Sequence, residues 1–225
     1  MIHLYYGGTF DPVHNGHVAI ACAARDELGA PVQLMPAADP PHRAVPGANA
    51  QRRADMVELA IEGHQGLRTD RRELRRAGRQ PERPSYTIDT VRELRDELGP
   101  DAPLALLIGA DSLLGLPTWR EWEALPEYVH FVVADRPGSR LDTADLAGLG
   151  QGLAARWTDA PADLRTAPAG RFYRLRQPLQ PESATAIRRL IAAGQPWRHL
   201  VPAAVADYIV RHRLYFTAGA TNAPV

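Results

Sequence analysis

Lysine is absent from this 225-residue chain: all 26 basic residues are arginine. A Schiff base, a lysine general base and a lysine-dependent phosphate loop are thereby excluded. Genome composition is a sufficient origin for the bias, but the chemical consequence is the same: an anion site must use arginine, histidine or backbone N–H groups. Cysteine occurs once, as Cys22 among Ala and Ile. It cannot form an internal disulfide, which suits a reducing compartment, and it reads as a small core residue. Net charge is lacking too, since 26 acidic residues balance the 26 arginines, which argues against an extended nucleic-acid surface. No stretch approaches the roughly 18 apolar residues of a membrane span. The N-terminus has neither the basic nor the apolar segment of a signal peptide. A cytoplasmic protein without membrane or nucleic-acid partners is expected.

What is present is a globular composition, 45% hydrophobic, on a chain long enough to bury a substantial core. Short apolar runs at residues 2–6, 32–35, 104–108, 129–134 and 172–175 read as strands, and a further strand is expected near residue 67, followed by an exposed loop through the Arg-rich run 71–83. Between them lie amphipathic patterns. Residues 15–28 place Val18, Ile20, Ala21, Ala24 and Leu28 on one face, and Gly29 ends that helix. Residues 50–62 form a second helix, and 85–98 a third with Ser85 or Thr87 as N-cap. Residues 36–47 hold four prolines and read as a loop; 140–169 read as weakly helical and loop-like; 183–193 and 202–212 are closing helices. Strands that alternate with helices and are continuously apolar predict a doubly wound α/β sheet, parallel and covered on both faces. The expected organisation is one domain over 1–216, with a C-terminal helical part at about 183–213 and a frayed tail at 217–225. In such a sheet, ligands bind beyond the carboxyl ends of the strands at the switch point.

The stretch YYGGTFDPVHNGH, residues 5–17, lies where the first strand hands over to the first helix. A zinc site of the HExxH kind needs histidines four apart with a Glu between them, and His14 and His17 are three apart without one. An ordinary turn would leave unexplained why the stretch falls where phosphate sites recur. A phosphate site accounts for each member: Gly7 and Gly8 let backbone approach an anion closely, Thr9 donates, and the helix opening at residues 15–17 points its free N–H groups at negative charge. His14 and His17 supply movable positive charge. A phosphate charge about 4 Å away at an effective dielectric near 20 favours an imidazolium by about 4 kcal/mol. The opposing helix N-terminus costs about 0.3–1 kcal/mol. At least one imidazole is therefore expected to protonate when a nucleotide binds.

GGTFDPVHNGH resembles the GGTFDPxHxGH motif of the nucleotidyltransferases that transfer adenylyl groups from ATP, with His14, Gly16 and His17 as its core. SATAIRRL, residues 183–190, resembles their second motif, with Ser183, Thr185 and Arg188 in place. PPHR at 40–43, SYT at 85–87, IGADSLLGLPTWREW at 108–122 and DRPG at 135–138 are similar to the bacterial nicotinate-nucleotide adenylyltransferases, and the similarity spans essentially residues 1–215. The chain departs from that pattern at Glu182, where an apolar residue is common, and at 36–39, where an Asn often stands.

The resemblance implies a Rossmann-like fold and adenylyl transfer from ATP to nicotinate mononucleotide, giving deamido-NAD and pyrophosphate in NAD biosynthesis. It implies His14, His17 and Arg188 as catalytic residues. Gly8, Thr9, Phe10, Gly16, Gly109, Asp111, Arg136, Ser183 and Thr185 would contact ATP; Arg43, Thr87 and Trp119 would contact the acceptor. Mg²⁺ would arrive on the ATP phosphates with few protein ligands of its own. Read without the resemblance, Ser183 and Asp111 are N-caps, Trp119 and Trp122 are core, and Arg136 is surface; Trp122 stays with that reading. GLGQG at 148–152 fails as a dinucleotide fingerprint because position 153 is Leu and no apolar strand precedes it. The same chemistry on nicotinamide mononucleotide or another phosphate, and a non-catalytic nucleotide-binding module, are the competing readings. A homo-oligomer is compatible with the sequence.

Overall fold

A computed structural model describes residues 1–39, 47–135, 151–178 and 181–217. Arg43, Arg136, Gly148, Gly150 and residues 218–225 of the expected tail lie outside the described residues. Among the described residues seven strands form one sheet: β1 (His3–Gly8), β2 (Val32–Pro36), β3 (Leu67–Thr69), β4 (Leu104–Gly109), β5 (His130–Ala134), β6 (Trp157–Thr158) and β7 (Phe172–Arg174). They pair in the order β3-β2-β1-β4-β5-β7-β6, and every pairing is parallel. The chain winds outward from β1 through β2 to β3, then returns to place β4 on the other side of β1. The switch point is thus between the carboxyl ends of β1 and β4.

Side chains alternate across the sheet, so successive residues of one strand feed opposite cores. Leu4, Tyr6, Leu107 and Val132 enter a core with α1 (Asn15–Leu28), α2 (Ala50–Ile61) and the C-terminal helices Ala184–Ala192 and Ala203–Arg211. Tyr5, Leu106, Ile108 and Phe131 enter a second core, where Ile88, Val91 and Leu94 of α4 (Thr87–Leu98) are fully buried. Helices on both faces explain why the strands read as uninterrupted apolar runs. Gly29 closes α1 in the left-handed conformation at φ 56°, as its place after Leu28 predicts. No helix among the described residues is long and apolar enough to cross a membrane.

Four details differ from the sequence reading. The Arg-rich run is a helix, α3 (Arg72–Arg79), rather than an exposed loop. Arg72 is buried, with Nε 2.6 Å from Asp70 and Nη2 3.1 Å from Glu97, while Arg76 pairs with Glu93 at 2.8 Å. Carboxylates from Asp70, just after β3, and from α4 take the place of an apolar stripe, so the helix carried no hydrophobic period. Second, β6 lies within 140–169, where weakly helical, loop-like chain was expected and no strand; its two residues are too few to show a period. Third, the N-cap of α4 is Tyr86, because the Ser85 hydroxyl accepts from Arg76 Nη2 at 2.6 Å and Thr87 is already helical. Fourth, Gly109 caps α5 (Ala110–Leu114), leaving Asp111 inside its first turn instead of at the cap.

Candidate active site

Gly7 and Gly8 finish β1 in register with Met35 and Pro36, so they belong to the strand rather than to a turn. Their roles separate. A side chain on Gly7 would meet Met35 Cε at an ordinary 3.9 Å, whereas one on Gly8 would come within 2.9 Å of Phe10 Cζ. The glycine at position 8 therefore makes room for Phe10, which is buried and sits at φ 51°, a left-handed value that a bulky residue adopts rarely. Phe10 packs edge-on against His17, ring centroids 5.0 Å apart, and His14 lies against the same ring at 3.7 Å.

His14 is the N-cap of α1 and is extended at φ −140°. Its backbone N–H donates to His17 Nδ1 at 3.2 Å, and its carbonyl accepts from His17 N–H at 2.9 Å. This reciprocal arrangement does for α1 what a Ser–Glu capping box does elsewhere. It also fixes the tautomer: with Nδ1 accepting, the neutral His17 ring carries its proton on Nε2.

Across from this turn, Ser183 caps the helix Ala184–Ala192, its hydroxyl 3.5 Å from the Ala186 N–H, as its place in the sequence predicts. One turn in, Arg188 reaches over: Nη1 donates to the Asp11 carbonyl at 2.6 Å and Nη2 to Thr185 Oγ1 at 3.3 Å. The two motifs, 177 residues apart at that contact, thus close on each other. Between them, at the switch point, opens a cleft of about 450 Å³. Of the residues named from sequence, Gly8, Thr9, Phe10, His17, Gly109, Asp111, Thr185 and Arg188 line it. Gly16 is buried in the first turn of α1. Thr87 starts α4, and Trp119 packs against the second core, as does Trp122; Thr87, Trp119 and the two caps His14 and Ser183 do not line the cleft.

Several residues here went unread in the sequence. Asp11 and Gly47 line the cleft. Arg53 is buried at 0% exposure beneath it, donating to the Thr9 carbonyl at 2.6 Å, the Ala48 carbonyl at 3.1 Å and Asp39 Oδ1 at 2.9 Å. Arg53 thereby ties the loop after β1 to the loop after β2. A charged residue on the buried face of an otherwise apolar helix pattern was the available signal.

The all-parallel, doubly wound sheet, with a histidine turn and an arginine helix meeting over its switch point, defines a nucleotide-binding α/β transferase class. A model of the Cytidylyltransferase-like family matches residues 5–190. A "Probable nicotinate-nucleotide adenylyltransferase" of Stenotrophomonas maltophilia (strain K279a) is 61% identical over 214 residues, covering 95% of this chain and 96% of that protein. One of the same name from Xylella fastidiosa (strain M12) is 47% identical over 214 residues, with 95% and 96% covered. The chain belongs to the Cytidylyltransferase-like family and, within it, to the nicotinate-nucleotide adenylyltransferases. In fold it is similar to the Plasmodium falciparum nicotinic acid mononucleotide adenylyltransferase complexed with NaAD, at a TM-score of 0.73 and 15% identity, covering 95% of this chain and 97% of that one.

Proposed function

We propose that this chain joins ATP to nicotinate mononucleotide, giving deamido-NAD and pyrophosphate, a step of NAD biosynthesis. The observation that carries the reading is the meeting of His17 with Thr185 and Arg188 around one cleft at the switch point. The membership established above narrows the acceptor to a pyridine nucleotide.

The 5′-phosphate oxygen of the acceptor attacks the α-phosphorus of ATP in line. The new oxygen–phosphorus bond forms as the bond to the bridging α–β oxygen breaks, and the electron pair leaves with pyrophosphate. A phosphate monoester with its second pKa about 6 is already mostly dianionic at neutral pH, so no general base is required. Catalysis rests on alignment and on preorganised donors for charge that builds on the α- and β-phosphates. His17 Nε2–H and the N-terminus of α1 would serve the reacting phosphates. Arg188, Thr185, Ser183 and the N-terminus of Ala184–Ala192 would hold the leaving group. Gly8, Thr9, Phe10, Gly16, Gly109 and Asp111 would shape the ATP side, with Arg136 toward the adenosine. Arg43, Thr87 and Trp119 would serve the acceptor. Residues 1–216 would work as one domain.

Mg²⁺ would come with ATP as part of the substrate. Asp11 spends its carboxylate on backbone and hydroxyl donors, and Asp111 is the exposed carboxylate at the cleft. That donor set suits a hydrated ion carried on phosphate oxygens.

The ring geometry refines the protonation argument. A charged His17 would turn its Nδ1 into a donor facing the His14 N–H, and two charged rings 3.7 Å apart would repel. His17, which lines the cleft, is therefore assigned the role of a neutral Nε2–H donor, and His14, buried behind it, that of the cap which holds the ring in place. Incubation with Mg·ATP and nicotinate mononucleotide should yield the dinucleotide and pyrophosphate in equal amounts. Tight ATP binding with no product would turn the reading toward a non-catalytic nucleotide-binding module.

A further inference from the structure

Asp11 stands in the histidine turn, but its contacts come from distant parts of the chain. Its carboxylate accepts from Gly47 N–H at 2.9 Å, Ala48 N–H at 3.1 Å and the Tyr215 hydroxyl at 2.6 Å. The carboxylate also lies 3.8 Å from Arg188 Nη1, at the outer limit of an ion pair, while that nitrogen bonds the Asp11 carbonyl instead. Tyr215 is packed closely: a side chain on Gly47 would come within 2.7 Å of Tyr215 Cδ1 and 3.5 Å of Arg188 Cδ. Arg213 and Tyr215 both adopt left-handed backbone, at φ 51° and 68°, which non-glycine residues hold only where the surroundings over-determine them. Burial first, and then the Asp11 charge, push the Tyr215 phenol well above its ordinary range, so it remains a donor.

These contacts place four groups around one carboxylate. With the Tyr215 hydroxyl, Gly47 N–H and Ala48 N–H occupying it, Arg188 is left to the carbonyl and keeps its charge directed at the cleft. The hydroxyl and the Ala48 N–H hold Oδ1, while Oδ2, held by the Gly47 N–H, is the oxygen 3.8 Å from the guanidinium; without the hydroxyl to anchor Oδ1, the carboxylate can turn Oδ2 onto Arg188. Direct pairing would draw Arg188 aside and neutralise it.

We propose that Tyr215 is a positioning residue for adenylyl transfer, its hydroxyl holding Asp11 so that Arg188 faces the nucleotide phosphates. The proposal rests on the reading of Arg188 as their partner. The test is a double-mutant cycle of Tyr215→Phe, Arg188→Ala and the pair. Kd for ATP is measured by calorimetry, together with kcat and the two KM values. Tyr215→Phe should raise Kd and KM for ATP about tenfold, the weight of one hydrogen bond to a charged group. The acceptor KM should move less than about twofold, and the effect should vanish in the Arg188→Ala background, as expected for coupled neighbours. Wild-type ATP affinity in Tyr215→Phe, or an equal loss in both backgrounds, would overturn the proposal. A wild-type chain that binds ATP but transfers to no acceptor would contradict the functional reading alone and leave the cycle readable in Kd. A chain that binds no ATP would overturn both.

Discussion

His17 has two separable jobs, and two substitutions divide them. Its Nδ1 accepts the His14 N–H at 3.2 Å, closing the first turn of α1, and its Nε2–H is the donor assigned to phosphate. In His17→Asn the side-chain oxygen sits where Nδ1 was and can keep the cap, but nothing reaches the Nε2 position. In His17→Gln the amide nitrogen reaches toward the Nε2 position, but the side-chain oxygen can take the cap, as a capping-box Gln does, only when that nitrogen turns away from the cleft, so one role is kept at the expense of the other. Removal of one preorganised donor costs about 10²–10³ in kcat, or about 2.7–4 kcal/mol. Loss of the cap acceptor leaves a buried N–H unsatisfied, about 1–3 kcal/mol of stability. Both variants also lose the ring contacts with Phe10 and His14, about 1 kcal/mol. The expectation is a crossover: Asn folds the better of the two and turns over about 100-fold slower or worse, whereas Gln keeps more activity on a weaker fold. Steady-state kinetics with saturating Mg·ATP and urea denaturation measure the two axes. If the Asn variant retained near-wild-type kcat, or if both variants fell together on both axes, the division of roles between the two ring nitrogens would be wrong.

Three further outcomes follow from the geometry. Arg53→Met leaves the Thr9 and Ala48 carbonyls and Asp39 without their donor in a buried place, and should cost about 3–5 kcal/mol, near 10 °C in Tm for a chain of this size; a loss under about 1 kcal/mol by chemical denaturation would contradict the bridging role. Trp119→Ala should raise the acceptor KM with little change for ATP; the reverse pattern would remove Trp119 from the acceptor side. His130 is fully buried, with Nε2 2.9 Å from the Ala167 carbonyl and Nδ1 accepting the Arg171 N–H at 2.9 Å, and burial above all holds its pKa below the ordinary value. The unfolded chain then takes up a proton that the native chain refuses, so this stability is present above about pH 6.5 and is lost as pH falls through the folded pKa. His130→Gln should flatten the decline in stability between pH 7 and 5, and an unchanged slope would refute the assignment.

The strands and most helices were legible because apolar periodicity reports burial directly. Residues 104–108 read as a buried strand because both faces of β4 are covered, and Gly29 marked the end of α1 by its backbone freedom. Helix α3 was illegible because its buried face is built from ion pairs with α4, and a run of arginines carries no sign of which carboxylates will meet it. The halves of the cleft were legible as two motifs, each at a helix start. What joins them was not: Asp11 meets Gly47 and Tyr215 across 36 and 204 residues, and Arg53 reaches Thr9 across 44. Such contacts depend on sheet order, which local pattern does not encode.

The most direct test of adenylyl transfer to a pyridine mononucleotide is pyrophosphate release from Mg·ATP, with nicotinate mononucleotide and nicotinamide mononucleotide compared as acceptors by kcat/KM. The account predicts release with both motifs intact and a strong preference for the acid. Equal use of the two acceptors would contradict the assigned acceptor while keeping the chemistry, and no release with either, from a chain that binds ATP, would contradict the account at its centre.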